Sequence, residues 1–150
     1  MKRQKNSKPK PLEQSLPIAL LRAREAVMAR FRPLLAERGF TEQQWRVLRV
    51  LNEFGPCDPT EIAERSVVLT PSVTRMLRAL EEREMITRTL HPSDRRRYLI
   101  SLTEQARHAV SAAAPASNAV YKDIESAYGR EKLGELLNLL DDLSKTAPDQ

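Results

Sequence analysis

Three consecutive arginines, Arg95, Arg96 and Arg97, follow the turn-forming run His91-Pro92-Ser93-Asp94. Guanidinium groups on a narrow loop suit the minor groove of a duplex, whose negative potential attracts arginine. A second basic group lies upstream, where Pro71, Ser72, Thr74, Arg75 and Arg78 share one short segment. Pro71 would stiffen a first helical turn, and the small Ser72 and Thr74 would let a helix approach DNA closely. Arg75 stands one turn further on, where its fork can meet guanine O6 and N7 or grip a phosphate. Each feature also has an ordinary reading: an arginine run is commonly a solvated loop, and a helix with two arginines a plain surface helix. Their order within residues 41–103 points instead to double-stranded DNA.

A different chemistry is available to Arg22, Arg24 and Trp45. An arginine can pair a carboxylate bidentately while an indole supplies an apolar wall, which together would suit a small aromatic carboxylate. The competing reading makes Trp45 a core residue, with both arginines solvated or paired to neighbours such as Glu25. The single cysteine, Cys57, precedes a helix N-terminus, a position that lowers a thiol pKa and would suit an oxidation switch. It also stands where it can pack against Ile62, and packing is the favoured role. Catalysis is not expected, because neither His91 nor His108 has a plausible partner beside it in sequence. Four glycines leave no phosphate-binding loop, and one cysteine with two separated histidines cannot supply a structural zinc site. No cofactor or metal is expected.

The charge distribution agrees with a polyanionic partner. The 150 residues carry 25 Lys+Arg and 20 Asp+Glu, a net charge of +5. Residues 1–13 hold five positive charges and one negative, and residues 14–40 hold five and two. Residues 41–103 hold ten and nine, and residues 104–150 five and eight. Basic patches of this kind fit nucleic acid better than a uniform solubilising shell. Near-neutrality over 41–103 is no objection, since the acids cluster at Glu61/Glu64 and Glu81/Glu82/Glu84 and can face away from DNA. No apolar run approaches the roughly 18 residues of a membrane span. The N-terminal lysines precede no apolar signal core, and one cysteine fits a reducing compartment. A cytoplasmic location without a membrane partner is expected.

Holding two arginine groups in register requires a helix-turn-helix and a hairpin, and the punctuation of the chain supplies both. Residues 1–13 are expected to be a disordered basic arm. Ser15-Leu16-Pro17 opens a helix in which Ile18, Leu21, Val27/Met28, Phe31 and Leu34/Leu35 recur at helical spacing. Pro33 should kink it, and Gly39 should end it as a left-handed cap. Thr41 with Gln44 forms a capping box, with Phe40 and Trp45 in staple positions. Asp58-Pro59-Thr60-Glu61 is a second box, opening a short helix to Ser66. Thr70 is read as a third cap with Pro71 at the first helical position, and Val73, Met76, Leu77 and Leu80 form the buried face. After Glu84 the period changes to two, giving strands 86–90 and 98–102 around the arginine loop. Helix returns from Thr103, with Pro115 as a second kink. A last amphipathic helix covers about 130–145 with Leu133, Leu136/Leu137 and Leu140.

The expected fold class is mainly α with a small β-hairpin wing. A winged helix-turn-helix core at 41–102 is flanked by dimerisation helices at 15–39 and 103–146. Those flanking helices carry wider apolar faces than a winged core can cover, which calls for a partner. A two-fold homodimer would match a pseudo-palindromic operator with half-sites about 10 bp apart. An intramolecular bundle is the alternative.

The run Leu69-Thr70-Pro71-Ser72-Val73-Thr74-Arg75-Met76-Leu77-Arg78-Ala79-Leu80-Glu81, then Asp94-Arg95-Arg96, then Ile100-Ser101-Leu102-Thr103, all between flanking helices, resembles the MarR family of bacterial regulators over residues 15–146. Within that family, residues 18–35 and 40–51 are most similar to regulators of aromatic-acid degradation. The resemblance implies an obligate, triangular homodimer with a pocket for a small aromatic acid between the dimer helices and the winged domain. It further implies that Arg96 enters the minor groove and that Asp94 helps to hold the wing. The expected function is a repressor released from DNA by a carboxylate of the hydroxyphenylacetate type. A constitutive DNA binder and a regulator switched through Cys57 are the alternatives. One position departs from the family: Glu84 stands where a glycine usually follows the recognition helix. A left-handed turn there would cost on the order of 1 kcal/mol, or the turn is built differently.

Overall fold

Ser15 starts the first long helix: its hydroxyl accepts from the Ile18 N–H, and Pro17 sits in the first turn, where a missing N–H costs nothing. In the computed structural model, which describes residues 8–148, this helix is α1 (Leu16–Glu37). Most of the arm expected at 1–13 lies outside the described residues. Its end is ordered, because Leu12–Gln14 form a 3-10 turn closed by Gln14 N–H to Pro11 O at 2.9 Å. Gly39, at φ +70°, turns the chain out of α1 while Phe40 and Gly39 N–H groups return to the Leu35 and Ala36 carbonyls.

Two reciprocal capping boxes then open α2 (Glu42–Phe54) and α3 (Pro59–Ser66), built from Thr41 with Gln44 and from Asp58 with Glu61. The Phe40 and Trp45 rings meet at 5.8 Å as the expected staple. A turn over 67–69 leads to α4 (Thr70–Glu82). Strands β1 (Ile86–Leu90) and β2 (Tyr98–Leu102) pair antiparallel, with Ile86 opposite Leu102 and Leu90 opposite Tyr98. Cys57 exchanges both backbone hydrogen bonds with Ile100, at 3.1 and 2.8 Å, and so joins the sheet edge. The chain finishes with α5 (Glu104–Tyr128) and α6 (Arg130–Ser144). Six helices and a hairpin wing are the fold class read from the sequence.

Side chains from α2, α3, α4 and β2 make the core: Val47, Leu48, Ile62, Val73, Leu77, Leu80 and Ile100 have essentially no exposure. Ala106 and Val110 bring α5 against it. By contrast α6 buries none of its residues, and Leu137, Leu139, Leu140 and Leu143 are exposed along it. Leu12, Leu16, Leu20 and Leu21 are likewise bare at the start of the chain.

One local expectation needs correction. Thr70 is not a cap: the helix begins one residue earlier, with the Leu69 carbonyl accepting from Ser72 and Val73 N–H groups and no side-chain bond at that end. The cause is the preceding turn, where Val67 adopts φ +55°. A β-branched residue there costs roughly 1–2 kcal/mol, and the Val68 N–H to Ala63 carbonyl bond at 3.0 Å helps to hold it. Pro33 and Pro115 lie inside α1 and α5, each of which runs on through its proline. Glu84 takes the left-handed turn itself, at φ +57°. Met85 N–H reaches back to the Leu80 carbonyl at 2.9 Å, and the Thr103 hydroxyl donates to the Glu84 carbonyl at 2.7 Å. The same hydroxyl accepts from Ala106 N–H to cap α5.

Candidate nucleic-acid interface and ligand cavity

The recognition-helix candidates stand where a duplex could reach them. Pro71, Thr74, Arg75 and Arg78 are exposed and Ser72 is half-buried, while Val73, Met76, Leu77 and Leu80 anchor the opposite face. Neither Arg75 nor Arg78 has a carboxylate partner among the described residues. Thr70, set free from capping, adds an exposed hydroxyl at the helix start that sequence reasoning assigned to the backbone.

The wing tip is an ordered loop. Asp94 Oδ1 accepts from Arg96 N–H at 3.0 Å, its carbonyl accepts from Arg97 N–H at 3.1 Å, and His91 N–H closes the loop onto the Arg97 carbonyl at 2.9 Å. Arg95 and Arg96 project into solvent without ion pairs among the described residues. Arg97 differs from both. Its guanidinium donates to the buried carboxylate of Asp58, the α3 cap, and so ties the wing to α3. Its partner lies 39 residues away, beyond the reach of local pattern.

A cavity of about 440 Å³ lies between α1, α2 and α5 and extends to the turn before α4. Trp45 and Arg24 line it, as expected, and Arg22 does not. Arg24 is already held: it donates to Glu42, which also accepts from Arg32 Nε at 2.8 Å, while Arg32 clasps Glu25 at 2.7 and 2.8 Å. The Arg24 hydrogen bond pulls the Glu42 carboxyl below its usual range, and the Arg32 hydrogen bond does the same for Glu25. The competing sequence reading, arginines paired to nearby acids, therefore describes Arg24.

Residues the sequence reading missed complete the wall. Arg49 follows Trp45 by one helical turn and has no carboxylate partner among the described residues. Tyr121 of α5 faces the same space, with its ring edge-on to Phe31 at 5.3 Å. Trp45, Arg49, Ser117 and Tyr121 also line a second cavity of about 330 Å³ that adjoins the first. The Trp45-to-Arg49 spacing was a usable signal for a shared helix face. Nothing local in α5 marks Tyr121. Cys57 lies inside the core, and burial, aided by Glu61, raises its thiol pKa, the reverse of what a helix N-terminus alone would do. No helix of the described residues is long and apolar enough to cross a membrane.

A capped helix, a tight turn, an exposed second helix and a braced hairpin, set over a ligand-sized cavity, define a winged helix-turn-helix protein. The chain belongs to the MarR family, whose description, MarR family, matches residues 40–98. It is 37% identical over 131 residues to the homoprotocatechuate degradative operon repressor of Escherichia coli, covering 87% of this chain and 88% of that one. Among solved structures, NadR in complex with 4-hydroxyphenylacetate is similar at 34% identity and TM-score 0.80, covering 94% of this chain and all of that one. The repressor CouR bound to a 23-mer DNA duplex is similar at 32% identity and TM-score 0.80, covering 92% and 99%. The first and last of these relatives are repressors by description.

Proposed function

We propose that this protein is a cytoplasmic repressor that binds a pseudo-palindromic operator as a homodimer and leaves it when a small aromatic carboxylate enters the cavity. The observation that carries the reading is the unpaired Arg49 beside Trp45 and Tyr121 in a cavity that reaches from α1 to the helix-turn-helix. Arg49 supplies the cation for the carboxylate, Trp45 and Phe31 supply apolar walls, and the Tyr121 hydroxyl is a polar partner. Arg24, engaged by Glu42, has a secondary role, and Arg22 has none. The ligand seen in NadR and the operon regulated by the E. coli relative support an acid of the hydroxyphenylacetate type.

On the DNA side, Thr70, Ser72, Thr74 and Arg75 enter the major groove behind the stiff Pro71, with Arg78 at the phosphates. Arg95 and Arg96 meet the minor groove from a loop fixed by Asp94. The winged unit at 41–102 reads DNA, and helices 15–39 and 103–146 join two copies. The bare leucines of α6 and of the chain start favour that partner over an intramolecular bundle. A switch through Cys57 is disfavoured by its burial and raised pKa.

Calorimetry with 4-hydroxyphenylacetate and benzoate tests the effector half. Wild type and Arg22→Ala should bind, Arg49→Ala should not, and ligand should weaken operator binding by about 5- to 150-fold. Absence of binding at millimolar ligand sinks the effector half and leaves the DNA half standing.

A further inference from the structure

Arg46 lies between the cavity and the helix-turn-helix, and the two ends of its guanidinium differ. Nη1 donates to the Val67 carbonyl at 3.4 Å. Nε is withdrawn from solvent and meets no acceptor among the described residues. A buried donor without an acceptor is an unfavourable state that any incoming oxygen would relieve. The carbonyl held by Nη1 belongs to the one valine in a left-handed conformation, two residues before the first residue of the recognition segment counted from Leu69. Ser66, Val67 and Arg46 all line the cavity, so a ligand can reach this junction directly.

We propose that Arg46 is the positioning residue that transmits cavity occupancy to the recognition helix. The inference rests on the effector reading above. An oxygen of the ligand offers Nε its missing acceptor, and the guanidinium moves off the Val67 carbonyl to meet it. The strained turn then loses its side-chain support and relaxes, re-aiming α4 against α2. Arg49 provides attraction for the ligand in either form. Arg46 provides the difference between the forms, and only such a difference can shift an equilibrium.

The test titrates 4-hydroxyphenylacetate into wild type, Arg46→Gln, Arg46→Lys and the double variant Arg46→Gln/Val67→Gly, and measures operator affinity with and without saturating ligand. Both single variants should still bind ligand through Arg49, more weakly by about the factor of the lost coupling, and the ratio of operator affinities should fall from about 5–150 to below about 2. Glycine accepts the left-handed turn unaided. The double variant should therefore regain any ligand-free operator affinity lost by Arg46→Gln and still not respond to ligand, a split that a merely structural residue would not give. An unchanged ratio in ligand-bound Arg46→Gln overturns the coupling alone, as does a ligand response restored in the double variant. Loss of ligand binding in both single variants would make Arg46 a ligand-holding residue and also overturn the coupling. No binding to wild type would sink the effector reading, and the coupling with it.

Discussion

Arg97, at the root of the wing, donates its guanidinium to Asp58, the residue whose other carboxylate oxygen caps α3 at 2.9 Å. One buried carboxylate thus sets both the start of a helix and the attitude of the hairpin. Of the three wing arginines, Arg97 alone is tied to the body of the protein among the described residues, and we propose that this tie aims the other two.

Separating the two duties of Asp58 is straightforward. Asparagine still caps a helix, while alanine does not, a difference of about 1 kcal/mol. Urea denaturation should therefore find Asp58→Ala less stable than Asp58→Asn by about that amount. Both variants, and Arg97→Ala, should weaken operator binding to a similar degree because all three release the wing. Full operator affinity in Arg97→Ala would show that the brace does not aim the wing.

Arg75 and Arg96 should fail in different ways. Arg75→Ala should lose about 1–3 kcal/mol of discrimination between operator and scrambled DNA. Arg96→Ala should weaken binding to both and reduce the salt-dependence slope by roughly one. Gel-shift titrations over a salt series separate these outcomes, and a wild-type slope for Arg96→Ala would remove the wing from the interface.

Glu42 holds α2 to α1 through Arg24 and Arg32, and its carboxyl titrates below the usual glutamate value. A depressed folded-state pKa adds stability that is complete above the unfolded value of about 4.3 and fades as pH falls through the lower folded value. The stability gap between wild type and Glu42→Gln should be constant near neutrality and close under acid. Thermal melts over a pH series measure it; a gap that persists at low pH would assign the effect to packing.

Leu139→Glu or Leu16→Glu, at two of the bare apolar positions, should yield a monomer by sedimentation velocity. Operator affinity should fall roughly 100-fold or more, because the second half-site is then no longer delivered at high effective concentration. Retention of the dimer in both variants would direct attention to other faces of the flanking helices.

Legibility followed the range of the interactions. The Thr41 and Asp58 boxes, the Phe40–Trp45 staple and the left-handed Gly39 are local, and sequence spacing located them all. Thr70 was misread because a competing device, the strained turn at Val67, moves the helix start by one residue. The ion pairs of Arg97 and Arg24 were not legible in the sequence because their acids, Asp58 and Glu42, are 39 and 18 residues away. Arg49 was within reach of helical spacing from Trp45, whereas Tyr121 joins the cavity only through the packing of α5 on α1 and α2.

The hydroxyl of Thr103 touches both the turn that ends α4 and the first turn of α5. On the proposed function, the reading helix and the long helix that leads toward a second copy would share this pin. On the opposite side, the seam between α1 and α2 is held by partly exposed ion pairs, which are open to screening. On the proposed function, ionic strength would therefore have two points of action: it would compete for the phosphates, and it would loosen the clasp between α1 and α2 on which the spacing of two readers depends.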